Sequence, residues 1–516
     1  SKAYGSDEAW AWESDGVEGY TIEEAQREGN GTDIILTLKD NTDEENFDRF
    51  LSEYGLKDLI KRYSNYVRYP VRMEVSKSRQ KPKPEDAGDD YKPEYEQYTE
   101  VETINSMVPI WKRSKSDVQQ EEYSEFYKQT FHDFTDPAAT FSIHAEGALS
   151  YDALLFIPGR APYDLYSKDY KKGLELYSSN VLIMEKCEDL LPDHYNFVRG
   201  VVDSQDLTLN ISRETLQQNN QLHAIARKVE KKVTSELKKM LKNDRAAYEK
   251  FFEDFGRGLE YGIYTSYGML KDELADLLLF YSAKEQKMVT LAEYLEAMPA
   301  DQKSIYYAAG DSIDRLAKLP IVNTVLGKGY DVLLCTKDVD EFCFQAMMTY
   351  GPEAEQDAEG KDIEGTGPKE LKNVASGDLD FASEEEKKEA EEAEKDNEAL
   401  LSAMKEQLGD AVTKVAVSTR LTDAPSAVTT EGPVSLEMER LMSQMPDGMG
   451  EVKSQRVLEL NANHPVFQVL KDAQSAGDAE KVKLYTEILY DQALIVEGMP
   501  IADPVAYANA VTKLMA

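Results

Sequence analysis

One polar stretch of the sequence, residues 206–219, has the composition of an anion-binding helix start. Ser212 can cap a helix, which places Arg213 in the first turn beside backbone N–H groups that have no partner within the helix. A guanidinium beside such N–H groups suits a terminal phosphate. A cation there also opposes the helix dipole, typically by about 0.3–1 kcal/mol. Local chemistry therefore leaves two interpretations open, an anion-binding Arg213 and an ordinary surface arginine.

Other reactive arrangements are missing from the sequence. It contains no nucleophile elbow, no zinc-protease motif and no phosphate loop, and Gly310-Asp311 is not followed by the required Lys-Ser/Thr pair. The five histidines lack metal-ligand spacing, so no metal site is predicted. The three cysteines form neither a disulfide framework nor a CxxC motif, which suits a reducing compartment. With no signal-peptide core and no membrane-length apolar run, a cytoplasmic protein is expected.

The composition predicts an acidic protein of several domains. A chain of 516 residues and 58.2 kDa is too large for a single core. Its 59 basic and 97 acidic residues give a net charge of −38. A field of this sign repels phosphate backbones and anionic lipids, so we expect neither a nucleic-acid nor a membrane partner. The chain begins without Met, and we expect it to be a piece of a longer protein.

Hydrophobic spacing predicts elements that could position the 206–219 stretch. Apolar residues recur every three or four positions after Ser212, which indicates a long helix there. A β-α-β unit is predicted over 304–335, with parallel strands. The remaining expectations are strands at 31–38, 69–75, 139–143, 153–157 and 415–418, and helices at 44–62, 435–445, 465–473, 479–496 and 504–515.

Six runs of the sequence carry a family resemblance. They are LTLNISRETLQQN (207–219), YSEFYK with HDF (123–134), FIPGRAPYDLY (156–166), FVRGVVDS (197–204), STRLT (418–422) and LNANHP (460–465). These runs resemble the ninety-kilodalton heat-shock chaperone family, Hsp90, in its bacterial HtpG type. The resemblance covers essentially all 516 residues in order.

The resemblance implies an α+β multidomain fold. Residues 1–77 would be the C-terminal remnant of a Bergerat-type ATPase sandwich, and 78–98 a charged linker. Residues 99–375 would form a middle domain of two α/β units joined by helices. Residues 376–516 would form a mixed α/β dimerisation domain. The family's glutamate base, Mg-binding Asn and Asp-x-Gly-x-Gly turn are not found in the sequence.

The resemblance also gives Arg213 a role in ATP hydrolysis. In the family, ATP with Mg binds the N-terminal domain, and a middle-domain arginine reaches the γ-phosphate to stabilise developing charge. By match, Arg213 is that arginine, Asn210 and Gln217 support it, and Thr32 lies on the adenine side of the pocket. Asn210 and Gln217 are equally compatible with ordinary polar positions. The chain alone is expected not to hydrolyse ATP.

Client proteins and a second copy of the chain are the expected partners. Trp111, Phe156 and Tyr163 match positions that the family uses for clients. A methionine-rich stripe at helical spacing is a second candidate surface, with inward packing as the alternative; it comprises Met438, Leu441, Met442 and Met445. The amphipathic terminal helices predict a homodimer through a four-helix bundle, with packing inside the chain as the alternative. Co-chaperones are further candidate partners.

The predicted function is that of an ATP-dependent molecular chaperone that binds and remodels partly folded proteins. Two alternatives come from other classes. One is a non-enzymatic dimeric scaffold for proteins. The other is an ATPase with the same N-terminal fold, of the mismatch-repair or topoisomerase type, which would need a basic DNA groove that the charge of −38 disfavours.

Overall fold

The computed structural model divides into two compact units, Ser1–Pro109 with Ser179–Leu182, and Ile110–Ser178 with Ile183–Ala516. The structure describes residues 1–17, 19–43, 45–81, 95–147, 149–207, 220–356, 363, 365–377, 379, 382, 384–444 and 452–515.

The first unit is built on two antiparallel hairpins and one helix. Strand β1 (Ala9–Glu13) pairs with β2 (Thr21–Ala25), and β3 (Arg72–Gln80) pairs with β4 (Tyr95–Thr103). Helix α1 (Glu53–Tyr63) begins after Ser52, whose hydroxyl accepts a bond from the Gly55 N–H at 3.0 Å. The predicted helix over 44–62 is therefore interrupted at Ser52, because the capping side chain starts a new helix there.

Two expectations for this unit differ from the structure. No strand forms at 31–38; Gly31 makes only an isolated bridge to Lys2, and the following residues find no partner strand among the described residues. A strand needs a neighbour to satisfy its backbone, which apolar composition alone cannot supply. The predicted linker, 78–98, has its first residues in β3 and its last in β4, and residues 82–94 lie outside the described residues. Cross-strand ion pairs of Lys77 with Glu102 and Arg79 with Glu96 join the two strands.

The second unit starts with a five-stranded sheet in the order β5-β6-β9-β7-β8. Antiparallel pairing of β5 and β6 confirms the strands predicted at 139–143 and 153–157. Helix α2 (Gln120–Phe131) precedes the sheet. The strands are β5 (Ala139–Ala145), β6 (Tyr151–Ile157), β7 (Leu174–Ser178), β8 (Val181–Cys187) and β9 (Arg199–Ser204).

Two long helices, α3 (Asn220–Asn243) and α4 (Arg245–Thr265), follow this sheet and pack on each other. The described part of α3 has the predicted period, because Leu222, Ile225, Val229, Val233 and Leu237 are all buried. The apolar faces of both helices belong to a core that extends from the first sheet to the second.

The second sheet has the order β11-β10-β13-β12-β15-β14. Its parallel pair β12–β13 confirms the predicted β-α-β unit. The strands are β10 (Leu279–Ser282), β11 (Lys287–Thr290), β12 (Ser304–Ala309), β13 (Leu333–Cys335), β14 (Thr349–Tyr350) and β15 (Lys369–Asn373). The helices are α5 (Lys271–Leu274), α6 (Leu291–Ala297), α7 (Ile313–Leu316), α8 (Pro320–Gly327) and α9 (Asp340–Met347).

In the last part of the second unit, the described residues form six helices and a small sheet of order β16-β18-β17. The predicted strand at 415–418 and the predicted helices after 435 are confirmed within one or two residues. The strands are β16 (Lys414–Val417), β17 (Ser426–Glu431) and β18 (Gln455–Leu460). The helices are α10 (Glu384–Asp396), α11 (Glu398–Leu408), α12 (Leu436–Ser443), α13 (Pro465–Ser475), α14 (Ala479–Val496) and α15 (Pro504–Met515).

The mixed α/β, multidomain expectation is confirmed. The second compact unit contains most of the predicted middle domain (99–375) and all of the predicted C-terminal domain (376–516). Within the described parts of the chain, no helix combines the length and the apolar character that crossing a bilayer requires.

Candidate functional site

The stretch that carries Arg213 is fixed where the chain enters it from β9. Asp203 is buried, and its carboxylate accepts bonds from Lys112 Nζ at 2.6 Å and from Trp111 Nε1 at 3.3 Å. One step later, the Ser204 hydroxyl donates to the Ser150 carbonyl at 2.8 Å. Charge-assisted bonds to a buried carboxylate hold a strand end firmly. Asp203 is a positioning residue that the sequence reasoning missed, although an acid at the end of an apolar strand is a readable signal.

Residues 206 and 207, which follow β9, are also held by contacts, and α3 follows the 208–219 segment. The Asp206 carboxylate accepts from the Ser150 N–H at 2.7 Å, and Leu207 is buried. The chain is described again from Asn220, where α3 inserts Leu222 into the core. The predicted catalytic residues Asn210, Arg213 and Gln217 lie outside the described residues. The described residues on either side, Leu207 and Leu222, are both buried in the same core cluster.

Two of the predicted client residues, Trp111 and Phe156, lie in the core. Trp111 is 6% exposed, and its ring packs against Tyr177 and Phe126 with centroids 4.9 and 5.9 Å apart. Phe156 is 0% exposed, under the ring of Tyr127. Phe156 on β6 and Trp111 in the segment before α2 both pack inside the core. In this conformation neither offers apolar surface to a client.

The other predicted client residues divide into exposed and packed positions. Tyr163 is fully exposed on the loop after β6. Met438 is buried, and its sulfur accepts a bond from Gln345 Nε2 at 3.0 Å. Leu441 and Met442 are half-buried, and Met445 lies outside the described residues. The stripe on α12 is thus partly inward-facing, which was the alternative interpretation.

Sequence reasoning missed an exposed aromatic face at the end of α4. We define it by Tyr261, Tyr264, Tyr267, Met269 and Met348, all of which are at least 40% exposed. Helical spacing puts Tyr261 and Tyr264 side by side, with centroids 6.1 Å apart, and Tyr264 also packs on Phe342 at 5.4 Å. Tyr267 adopts a left-handed φ of 52° that ends the helix and leaves its ring 89% exposed. Exposed apolar side chains grouped in this way are typical of binding sites.

Thr32 is the described member of the predicted nucleotide-contact set. It is exposed, and its hydroxyl lies 3.0 Å from that of Ser1. Its predicted contact with a nucleotide stays a prediction. Among the described residues, no group of three or more His, Cys, Asp or Glu side chains is arranged to hold a metal ion.

Comparison with known proteins now places the chain. The Hsp90 protein family model matches residues 49–516, which is more than nine-tenths of the sequence. The chain belongs to the Hsp90 family. This Hsp90 chain is 51% identical over 515 residues to a protein named chaperone protein HtpG from Clostridium perfringens strain ATCC 13124. It is 50% identical over 515 residues to the protein of the same name from Clostridium botulinum strain Langeland. Each alignment covers 100% of this chain and 78% of the relative.

Proposed function

We propose that this Hsp90-family chain is an ATP-dependent molecular chaperone that holds partly folded proteins against its aromatic face. The observation that carries the proposal is the exposure of five large aromatic and methionine side chains at the end of α4 in an otherwise acidic protein. Proteins similar to this chain over its whole length are named chaperones. The name of these relatives supports a chaperone function, and the aromatic face is the surface that we propose for client binding.

The chemistry of the aromatic face suits many different clients. Tyrosine combines a large apolar ring with a hydroxyl that can bond to an exposed backbone. Methionine is flexible and polarisable, so Met269 and Met348 can adapt to different shapes. The rigid part is the Tyr264 ring, which packs on Phe342. The net charge of −38 over the rest of the protein opposes self-association while the apolar face holds a client.

ATP with Mg is the proposed energy source. In the full-length protein Thr32 would contact the adenine side, and Arg213, supported by Asn210 and Gln217, would stabilise charge on the terminal phosphate. The resemblance of the LTLNISRETLQQN run to the family's catalytic loop supports this role. Hydrolysis by the chain alone is not expected, because Thr32 by itself does not bind a nucleotide.

We further propose the domain division of the family for this chain, with a homodimer formed by the terminal helices. Residues 1–77 would belong to the ATPase domain, 78–98 to a charged linker, 99–375 to the middle domain and 376–516 to the dimerisation domain. Apolar residues on the outer surface of α14 and α15 support the dimer; they are Ile495, Val505, Leu514 and Met515. The three described cysteines are free and buried, which favours a reducing compartment such as the cytoplasm.

Client holding is tested with a chemically unfolded model protein and light scattering of its aggregates. Tyr261→Gln combined with Tyr267→Gln keeps Tyr264 in place on Phe342 and removes two exposed rings. We expect the concentration needed to suppress aggregation to rise about tenfold, because two interface aromatics contribute on the order of 1 kcal/mol or more. The matched control, Tyr4→Gln with Tyr54→Gln, removes two exposed rings of the first unit and should change nothing. Equal suppression by both variants would refute the role of the aromatic face.

A further inference from the structure

A cavity of about 250 Å³ opens beside the five-stranded sheet, and none of the residues of the aromatic face lines it. Three segments form it: the end of α2 with the loop after it, the loop after β6, and the first residue of β9. We call it the arginine pocket. Its lining residues are Tyr127, Phe131, His132, Asp133, Phe134, Pro158, Arg160, Ala161, Pro162 and Arg199.

Two guanidinium groups in this pocket have no carboxylate partner among the residues that the structure describes. Arg160 is exposed and makes no described hydrogen bond or ion pair. Arg199 is half-buried, and its guanidinium lies over the Tyr170 ring at 5.3 Å. By contrast, Arg113 and Arg257 of the same unit are each paired with an acid. In a chain with 97 acidic residues, two arginines on one cavity without a described carboxylate partner are a local reversal of the overall charge.

The pocket's own acid is already satisfied. Asp133 accepts bonds from the Tyr127 hydroxyl at 2.5 Å, from the Thr135 N–H at 2.9 Å and from the Thr135 hydroxyl at 2.8 Å. Burial by itself would raise the pKa of Asp133, and these bonds hold that pKa below its usual value. Asp133 therefore stays charged but directed toward its own donors. The field that an incoming group meets is set by Arg160 and Arg199.

Apart from His132 and Tyr127, the remaining lining residues are apolar. Phe131 and Pro158 line the inside, and Phe134, 89% exposed, stands at the rim near Pro162. A free inorganic anion would leave these rings unused, and about 250 Å³ is more than it needs. A nucleic-acid backbone is disfavoured by the net charge of the chain. An acidic side chain with an apolar neighbour would use both the guanidinium groups and the rings.

We propose that the arginine pocket binds an acidic side chain of a partner protein, presented next to an aromatic or aliphatic residue. The carboxylate pairs with Arg160 and Arg199, and the neighbouring apolar side chain lies on Phe134 and Pro162. This surface is separate from the aromatic face, so it adds a charge-selective contact to a chaperone whose other proposed contact is apolar. Binding at the pocket weakens with salt, because exposed ion pairs are screened.

The test uses the full 516-residue chain and fluorescence anisotropy with a labelled peptide that contains one glutamate followed by phenylalanine. We expect micromolar binding, with at least a tenfold loss when the peptide's glutamate is replaced by glutamine. Arg160→Gln should cause a loss of similar size, and Arg160→Lys a smaller one, since lysine keeps the charge without the bidentate geometry. Arg160 has no described hydrogen-bond or ion-pair partner that the substitution would leave unpaired, so the variant should fold normally.

The matched control is Arg227→Gln on α3, which removes the same charge from an exposed position away from the pocket and should leave binding unchanged. Binding should also persist in the Tyr261→Gln and Tyr267→Gln double variant, which separates this pocket from the client surface. The proposal is overturned if both peptides bind equally or if Arg160→Gln binds like the control. It is also overturned if millimolar inorganic phosphate protects the pocket while the peptide does not bind.

Discussion

The Lys337 ammonium lies 2.6 Å from Oε1 of Glu260, whose side chain has no contact with solvent. The Asp340 carboxylate is buried beside them and accepts the Lys337 backbone N–H at 2.9 Å. Lys337 also lies 4.0 Å above the Phe252 ring. One ammonium therefore faces two buried carboxyl groups at the junction of α4 and α9. A single cation cannot neutralise both, so the arrangement favours a proton on one carboxyl group.

This cluster predicts a pH-dependent stability. Burial first, and then the Asp340 charge, raise the pKa of Glu260 well above its usual value. The folded protein thus keeps a proton that the unfolded chain releases above about pH 4.5. The free energy of unfolding should fall as the pH rises from about 4.5 to the raised pKa of Glu260, and then level off. The slope in that window reaches about 1.4 kcal/mol per pH unit for one proton.

Glu260→Gln should flatten that dependence. The amide keeps the shape of the side chain but cannot ionise, so urea unfolding at pH 5 and pH 8 should give closer midpoints than in the parent protein. The control is Glu253→Gln, an exposed acid on the same helix. If the urea midpoints of Glu260→Gln at pH 5 and pH 8 differ as much as those of the parent protein, the proton resides on another group.

A second buried ion pair, between Arg420 and Glu459, should be essential for the C-terminal sheet. Arg420 is buried, bonds to Glu459 and donates to the Ser376 carbonyl at 2.5 Å. Glu459 also accepts from the hydroxyls of Thr429 at 3.0 Å and Ser418 at 2.7 Å. Arg420→Met leaves a buried carboxylate without its cation, and we expect a loss of about 3–5 kcal/mol in unfolding free energy.

An exposed ion pair in the same sheet serves as the control for the Arg420–Glu459 pair. Lys414 pairs with Glu431 at 3.2 Å across the surface, so Lys414→Met should cost less than about 1 kcal/mol. Denaturant unfolding of both variants measures the difference. Similar losses for Arg420→Met and Lys414→Met would mean that the buried network contributes no more than a surface pair.

Ser435 is expected to hold helix α12 in place. Its hydroxyl accepts the Met438 N–H at 3.0 Å as a helix cap and also bonds to the buried carboxyl group of Glu341 on α9. Ser435→Ala removes both bonds, at an expected cost of about 1–3 kcal/mol. Backbone amides of α12 should then exchange with deuterium faster, and Ser443→Ala at the exposed end of the helix should show parent-like exchange.

Elements whose signals are local were predictable from the sequence. The strands β12 and β13 and the helices α13 to α15 carry their own apolar period and end signals, such as the Asp503 carboxylate that accepts the N–H groups of Val505 and Ala506. The expected strand at 31–38 failed for the opposite reason. A strand depends on a distant neighbour that its own residues do not encode.

Candidate-site residues were less predictable, because burial is decided by tertiary packing. Tryptophan is common at protein-binding surfaces, but the Trp111 indole N–H donates to Asp203 inside the core. Glu260 lies among glycines and tyrosines in the sequence and gives no sign that it would be fully buried. The arginine pocket joins Arg160 and Arg199 through the sheet pairing of β6 with β9, which no local pattern reveals.

Exposed apolar residues on the terminal helices predict that dimer formation can be broken by charge. Val505 and Leu514 on α15 are 69% and 42% exposed. Val505→Glu with Leu514→Glu should reduce the mass measured by light scattering from twice 58.2 kDa to 58.2 kDa. Val17→Glu with Ile35→Glu adds the same charge to exposed positions of the first unit and should leave the mass unchanged. A parent protein that is already monomeric would disprove the proposed dimer.

The role of Arg213 in ATP turnover is tested in the full-length protein. Arg213→Ala should lower the turnover number by about 100-fold or more, since an arginine at the terminal phosphate acts mainly on charge that develops in the transition state. Affinity for ATP, measured by calorimetry, should change little, because that interaction is weak in the ground state. Arg227→Ala on the described part of α3 is the control and should turn over normally. Parent-like turnover in Arg213→Ala would remove the catalytic role and leave an ordinary surface arginine. No ATPase activity in the full-length parent would instead favour a non-enzymatic scaffold, because client binding at the aromatic face does not depend on Arg213.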